Sequence, residues 1–334
     1  MNMASNTLTD IPGLKVGHAT DLARATGTTA IIFDQPAVCA VDVRGGAPGS
    51  RDTELLRPDK TVQTVDAVVL SGGSAFGLDA CGGVSAWLAE NGRGFLIGAM
   101  RVPIVPGAIV FDLLSGGDKA WGRFSPYRDL GYQAAAAASA DPVPLGTVGG
   151  GTGATTADLK GGIGSASALS ATGHRVGAIV IVNAVGSATI GASGHFWAAT
   201  DEIGAEFGGR GLPSPLPADA HALKLKGARP ENTTIALVVT DAVLDKGQAT
   251  HLAVMAQDGL GRAIRPIHTP LDGDTVFAAA TGAVPVADYA RDMAAIGFTA
   301  ASVLARACAR ALYEATALPF PGALPAWKDR FGTR

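Results

Sequence analysis

Metal-ligand patterns are missing from this sequence. Its six histidines, His18, His174, His195, His221, His251 and His268, form no His-Glu-x-x-His motif or tight pair, and each reads as a surface or structural residue. The three cysteines, Cys39, Cys81 and Cys308, lie far apart, and their odd number argues against a disulfide framework, so reduced, buried thiols are expected. Charge is scarce as well. Only 16% of the 334 residues are charged, and a net charge of −3 with a pI near 6.1 gives no general attraction to nucleic acid or anionic lipid. Val176 to Val185, the longest apolar stretch, is interrupted by Asn183 and is too short to span a bilayer. Residues 1–13 lack the basic-then-apolar pattern of a signal peptide. A soluble, cytoplasmic protein without metal is expected.

Apolar side chains and glycine are abundant instead. With 47% apolar residues the chain can bury a large core, and one domain over 1–334 is expected. Many of the 45 glycines come in pairs beside apolar runs, such as Gly45-Gly46, Gly72-Gly73 and Gly149-Gly150-Gly151, where close backbone approach is wanted. Short β-branched runs predict strands at Thr28 to Phe33, Val38 to Val43, Ala67 to Leu70, Val176 to Val182, Thr233 to Thr240 and Thr275 to Ala280. Helical spacing predicts helices over Ser74 to Glu90, Leu130 to Ser139, Gln248 to Leu260 with Asp245 as a cap, and most of Val286 to Thr316. Strands in sets with helices between the sets predict packed sheets with helices outside. Ala198 to Pro230 reads as a long loop region, and the tail Leu318 to Arg334, with its prolines, as peripheral.

The residue that carries most chemistry is Thr233. Glu231-Asn232-Thr233-Thr234 leaves a Pro-containing loop (Leu223 to Pro230), whose Lys224, Lys226 and Arg229 read as a solvated basic cluster, and enters the apolar run Ile235 to Thr240. A chain that cut itself between Asn232 and Thr233 would free an α-amino group with an ordinary pKa of about 7.7–8.0, able to act as base for the adjacent hydroxyl. Asn tolerates the unusual backbone geometry that an acyl shift requires, and Thr is stiff about its first side-chain torsion. The plain alternative is a loop entering a strand. Asn232-Thr233-Thr234 also fits the glycosylation acceptor pattern, which would need a secretory context.

Asp272-Gly273-Asp274 at a strand entrance could orient a hydroxyl, position an ammonium or share a proton, or be a simple turn. Most of a calcium-loop ligand series is absent around it. The glycines of Gly146 to Gly153 could present amides to an oxyanion or merely be flexible, and no Gly-Lys-Ser/Thr follows to make a phosphate loop. Gly73-Ser74-Ala75 resembles half of a nucleophile elbow, but Phe76 stands where Gly is needed. Asn183, inside an apolar strand, must find partners, as an oxyanion donor or as a structural hydrogen-bonder.

Taken together, Val43-Arg-Gly-Gly-Ala47, Leu70-Ser-Gly-Gly-Ser-Ala-Phe-Gly-Leu-Asp79, Val102-Pro-Ile-Val-Pro106, Asn232-Thr-Thr and Asp272-Gly-Asp274 resemble the DmpA-type family of self-processing L-aminopeptidase/D-esterases, β-peptidyl aminopeptidases and nylon-oligomer hydrolases. The resemblance runs from about Asp10 to about Ala315 and is nearest the nylon-oligomer branch. It implies an α/β fold with a four-layer αββα sandwich and cleavage into an α chain (1–232) and a β chain (233–334). It also implies a homotetramer of such heterodimers. Thr233 matches the nucleophile, Asp272 and Asp274 the acidic pair, Lys160 a site lysine and Asn183 the oxyanion-side asparagine. Where one branch carries an oxyanion-stabilising Tyr, this chain has Phe111, a substrate-binding position without a hydroxyl, so Asn183 and backbone amides must carry more of the oxyanion. The implied activity is hydrolysis of small peptide, amide or ester substrates through an acyl-enzyme, with no cofactor. The rival expectations are an acetyl-transferring relative of the ornithine type and a non-enzymatic, Gly-rich assembly protein.

Overall fold

In the computed structural model, residues 5–227 and 232–332 are described. Arg229, Pro230 and Glu231, singled out above, lie outside them. The chain runs β1 (Leu14–Asp21), β2 (Thr26–Val43), β3 (Ser50–Arg51), β4 (Thr64–Ser71), α1 (Asp79–Glu90), β5 (Phe95–Ile97), β6 (Met100–Val102), β7 (Gly107–Ile109) and α2 (Tyr127–Ala136). It continues through β8 (Gly162–Leu169), β9 (Arg175–Asn183), β10 (Thr233–Ala242), α3 (Lys246–Ala263), β11 (Thr275–Val284), α4 (Tyr289–Tyr313) and α5 (Trp327–Phe331).

Nine strands form one mixed, hydrogen-bonded path, β3-β7-β4-β2-β11-β10-β9-β8, with β1 added beside β2. The strand β2 explains how one path makes two layers. Expected as two strands, it is a single 18-residue strand with a register shift between Ile32 and Ala37. Its first half pairs with β1 and β4, and its second half pairs with β11.

Alternation along the strands sorts side chains into three cores. Ile31, Phe33, Val68 and Leu70 from one layer meet Ile179, Ile181, Ile235, Leu237 and Phe277 from the other. Ala30, Ile32, Ala67 and Val69 face α1 and α2. Val180, Val182, Ala236, Val238 and Ala278 face α3 and α4. The fold is therefore the expected αββα arrangement. Strand β10 is buried along its whole length, and its unbroken apolar run reflects cover on both faces.

Helix α4 is long and apolar enough, by length and composition, to cross a membrane. Most of its apolar residues are instead buried in the core against β8, β9 and α3, while Phe298 stays exposed. All three cysteines are free and buried, as expected.

One expectation is overturned. The tail is not peripheral, because Trp327 of α5 is buried, stacks on Phe196 at 5.5 Å and donates to the Gly194 carbonyl. Strands β1 and β8 were also unforeseen. β8 reads Gly-Ile-Gly-Ser-Ala-Ser-Ala-Leu, and it is small because α4 lies close: a side chain at Gly164 would strike the Ala307 carbonyl.

Candidate active site

Parallel pairing of β10 with β11 brings the distant motifs together. Ile235 lies opposite Thr275, and extending that register back by two residues sets Thr233 opposite Gly273, beside a bridge between Asn232 and Asp272. On the other side of β10, Thr233 is paired directly with Asn183, so the two side chains leave the same face of the sheet. The nucleophile candidate thus begins a central strand, with the acidic pair on one neighbour and the asparagine on the other.

Thr233 is buried, and its hydroxyl donates to the Asn232 carbonyl, the acyl group of the bond expected to break. The same carbonyl accepts the Gly273 N–H at 2.9 Å. Both residues border a cavity of about 520 Å³, walled largely by Pro48, Leu78, Ile109, Phe111 and Leu271. Phe111 lines the same cavity as Thr233.

The two carboxyls are fully buried. Asp274 accepts the Thr234 N–H at 2.8 Å through Oδ1, and through Oδ2 it accepts the His268 N–H at 2.8 Å and contacts His268 Nδ1 at 3.0 Å. His268 is thus a site residue rather than a bystander, and it holds a left-handed backbone (φ 58°) to make both contacts. Asp272 accepts from Thr269 Oγ1 (2.8 Å), Thr269 N (3.2 Å) and Val185 N (3.3 Å). Burial, followed by the neighbouring Asp274 charge, pushes the Asp272 carboxyl above its ordinary range, against the pull of those donors. The Arg44-Gly45-Gly46-Ala47 turn wraps this pair. Ala47 N–H donates to the Asp272 carbonyl and Arg44 N–H to that of Asp274, and a side chain at Gly45 would collide with the Asp272 carbonyl and Asp274 amide.

Asn183 finds its partners. Its Nδ2 donates to the Phe111 carbonyl (3.1 Å), and its Oδ1 accepts from Thr155 N and Lys226 Nζ, each at 3.0 Å. The loop before the expected cut is therefore docked at Lys226, and at Lys224, whose Nζ lies 3.7 Å from Asp158, rather than simply solvated.

Lys160 is buried, and its ammonium donates to the carbonyls of Gly151, Ala154 and Gly161 at 3.1, 2.8 and 2.8 Å. Burial lowers its pKa to about 7, with the Asp112 charge opposing. It ties down the turn that delivers Thr155 N–H to Asn183, and with Lys226 it borders a second cavity of about 560 Å³. The Gly149-Gly150-Gly151 amides are occupied inside the protein, on Thr20 Oγ1, Thr29 Oγ1 and the Val148 carbonyl, and these glycines serve packing.

A model of peptidase family S58 matches residues 6–322. The chain belongs to peptidase family S58. It is thus a hydrolase of the DmpA type. It is 44% identical over 347 aligned positions to an uncharacterised aminopeptidase of Mycobacterium tuberculosis, covering 98% of each chain. It is 30% identical over 278 positions to the 6-aminohexanoate-oligomer endohydrolase of a Kocuria species, covering 81% of this chain and 74% of that one. Among solved structures it resembles a Burkholderia β-aminopeptidase, with a TM-score of 0.72, 25% identity, and 99% and 92% coverage. The fold also matches the L-aminopeptidase D-Ala-esterase/amidase of Ochrobactrum anthropi, an Ntn-hydrolase variant, with a TM-score of 0.71, 20% identity, and 99% and 93% coverage.

In this S58 chain the least visible site residue was Asp112. Fully buried, it accepts from Thr26 Oγ1 (2.6 Å) and Gly73 N (2.8 Å), and burial raises its carboxyl pKa against the pull of Lys119. It fixes the Gly-Gly-Ser turn and the strand end that present Ser74 and Phe111 to the cavity. A carboxylate closing the apolar run Ala108 to Phe111 was the only trace of it in the sequence.

Proposed function

We propose that this protein is an N-terminal-threonine amidohydrolase that first cuts its own Asn232-Thr233 bond. The observation carrying this reading is the contact of the Thr233 hydroxyl with the Asn232 carbonyl, at the head of a strand and facing a cavity. Thr233 Oγ adds to the Asn232 carbonyl carbon, the C–N bond breaks, and the hydroxyl proton ends on the Thr233 nitrogen. Water then hydrolyses the resulting ester, leaving an Asn232 carboxylate and a free Thr233 amine. In later turnovers that amine takes the hydroxyl proton as the hydroxyl attacks a substrate amide or ester, then protonates the leaving group. Asp272, Asp274, Asn183 and Lys160 hold these groups in register.

The apolar wall of the cavity favours a short acyl group with little charge, as in small peptides, β-amino acid amides, esters or ω-amino acid oligomers. The names of the S58 relatives, aminopeptidases and oligomer endohydrolases, support the same range. Assembly into a homotetramer of αβ heterodimers is part of the proposal. Hairpin β5–β6 leaves Phe95, Leu96, Ile97, Met100 and Val102 exposed, a patch suited to contact with further copies.

Denaturing electrophoresis tests the cut. Dividing 33.5 kDa in proportion to 232 and 102 residues gives fragments of about 23 and 10 kDa. Thr233→Ala should stay as one band and lose activity by roughly 10⁴-fold or more, while Thr233→Ser should retain some processing. A processed, active Thr233→Ala protein would remove the mechanism. Mass spectrometry of products from a panel of these amides and esters assigns the substrate, and light scattering near four times 33.5 kDa, about 134 kDa, tests the assembly.

A further inference from the structure

Among the described residues, the Asn232 carbonyl accepts from the Thr233 hydroxyl and from the main-chain N–H of Gly273 at 2.9 Å. The hydroxyl ceases to be a donor once its oxygen becomes the attacking atom. Asn183 directs Nδ2 to the Phe111 carbonyl at 3.1 Å, and Phe111 brings no hydroxyl. The Gly273 amide is the group already aimed at the oxygen where charge would develop.

We infer that the Gly273 main-chain N–H is an oxyanion donor of this site, in self-cleavage and then in turnover; the inference rests on the self-cleavage reading above. As Thr233 Oγ bonds to the Asn232 carbonyl carbon, the carbonyl π pair moves onto an oxygen held 2.9 Å from the Gly273 nitrogen. When that tetrahedral centre collapses, the C–N bond breaks and the pair returns. After the cut, the substrate carbonyl occupies the vacated position and accepts from the same amide.

The residue type follows from this geometry. A Cβ at position 273 would stand 2.8 Å from Thr233 Oγ1 and 2.7 Å from the Ala47 carbonyl oxygen, so only glycine lets the amide approach without displacing the nucleophile. The amide is also fixed in advance. Asp272 on one side is clamped by Thr269, Val185 and the Ala47 amide, and Asp274 on the other by Thr234, His268 and the Arg44 amide. A donor that need not reorganise as charge develops is the arrangement that gives large rate effects. The acidic pair therefore acts partly as the mounting for the peptide between its members.

The test replaces Gly273 with glycolate by chemical ligation of the full chain, turning the Asp272–Gly273 amide into an ester that deletes the N–H and keeps the shape. Self-cleavage and kcat should each fall about 100- to 1,000-fold, with KM changed far less, relative to an all-amide chain assembled in the same way. Cleavage and turnover at the control rate would overturn the inference. An all-amide control that remains uncut while hydrolysing substrate would instead overturn the self-cleavage reading. Should the ester chain fail to fold, amide hydrogen exchange in the uncut Thr233→Ala protein decides: protection at Gly273 supports the bond to Asn232, and free exchange sinks it.

Discussion

Asp274 touches the strand one residue beyond the proposed nucleophile, through Thr234 N–H, and His268 grips its other oxygen twice. Its effect on chemistry is therefore transmitted through the position of the Thr233 backbone. Asp274→Asn, which turns one acceptor into a donor facing an N–H, should slow maturation and turnover together by roughly 10- to 100-fold. Normal rates in both would show that the acidic pair is only a turn. Lys160 gives a pH signature. Its folded pKa of about 7 lies below its ordinary 10.5, so between those values the unfolded chain holds a proton that the folded chain releases. Its contribution makes stability rise with pH across that window. Lys160→Met should flatten the rise in thermal midpoint between pH 7 and 9, and an unchanged slope would contradict the lowered pKa.

At the scale of elements, the βαβ unit β10-α3-β11 does the positioning. It sets two strands parallel with both beginnings at one edge, which is why residues about forty apart in sequence meet. Helix α3 is started by a capping box in which Asp245 accepts from Gln248 N at 2.8 Å while Gln248 Oε1 accepts from Asp245 N at 2.9 Å. Asp245→Ala should cost about 1 kcal/mol, read as a lower urea midpoint, with catalysis in the folded protein little changed. A large loss of kcat at full folding would mean that the cap also sets the register of β11.

Across the whole molecule, the loop region after β9 is held to the helical layer by a buried ion pair. Arg306 of α4 is fully buried and binds Glu206 through Nε (2.6 Å) and Nη2 (3.0 Å), and it also donates to Asn6 and Ser167. Burial alone would raise the Glu206 carboxyl, but Arg306, helped by Asn6 and the Ile203 N–H, outweighs it and holds the carboxyl below its ordinary value. A depressed carboxyl stabilises the fold above its unfolded pKa, and that contribution fades as pH falls through the folded value. Glu206→Gln, which strands a buried guanidinium, should lose about 3–5 kcal/mol at neutral pH and converge on the parent as pH falls through the lowered carboxyl value. Parallel stability curves for the two proteins would refute this account.

Much of this was readable in the chain itself. Val176 to Val182, Thr233 to Thr240 and Thr275 to Ala280 announced their strands because β-branched runs buried on both faces need no partner to be recognised. Asn232-Thr233 and Asp272-Gly-Asp274 stood out because polar groups at the head of such runs cost stability unless used. The cues failed where a neighbour, not the local sequence, set the residue. β8 is Gly- and Ala-rich because α4 packs on its backbone, α5 is ordered by the aromatic patch around Phe196, and His268 matters only because a turn carries it back to Asp274. Local propensity and patterning fixed the strands and the motifs at their heads. The parallel register of β10 and β11, a property of long-range backbone pairing, decided which of those motifs face one another, and so put the Gly273 amide beside the Thr233 hydroxyl on the Asn232 carbonyl.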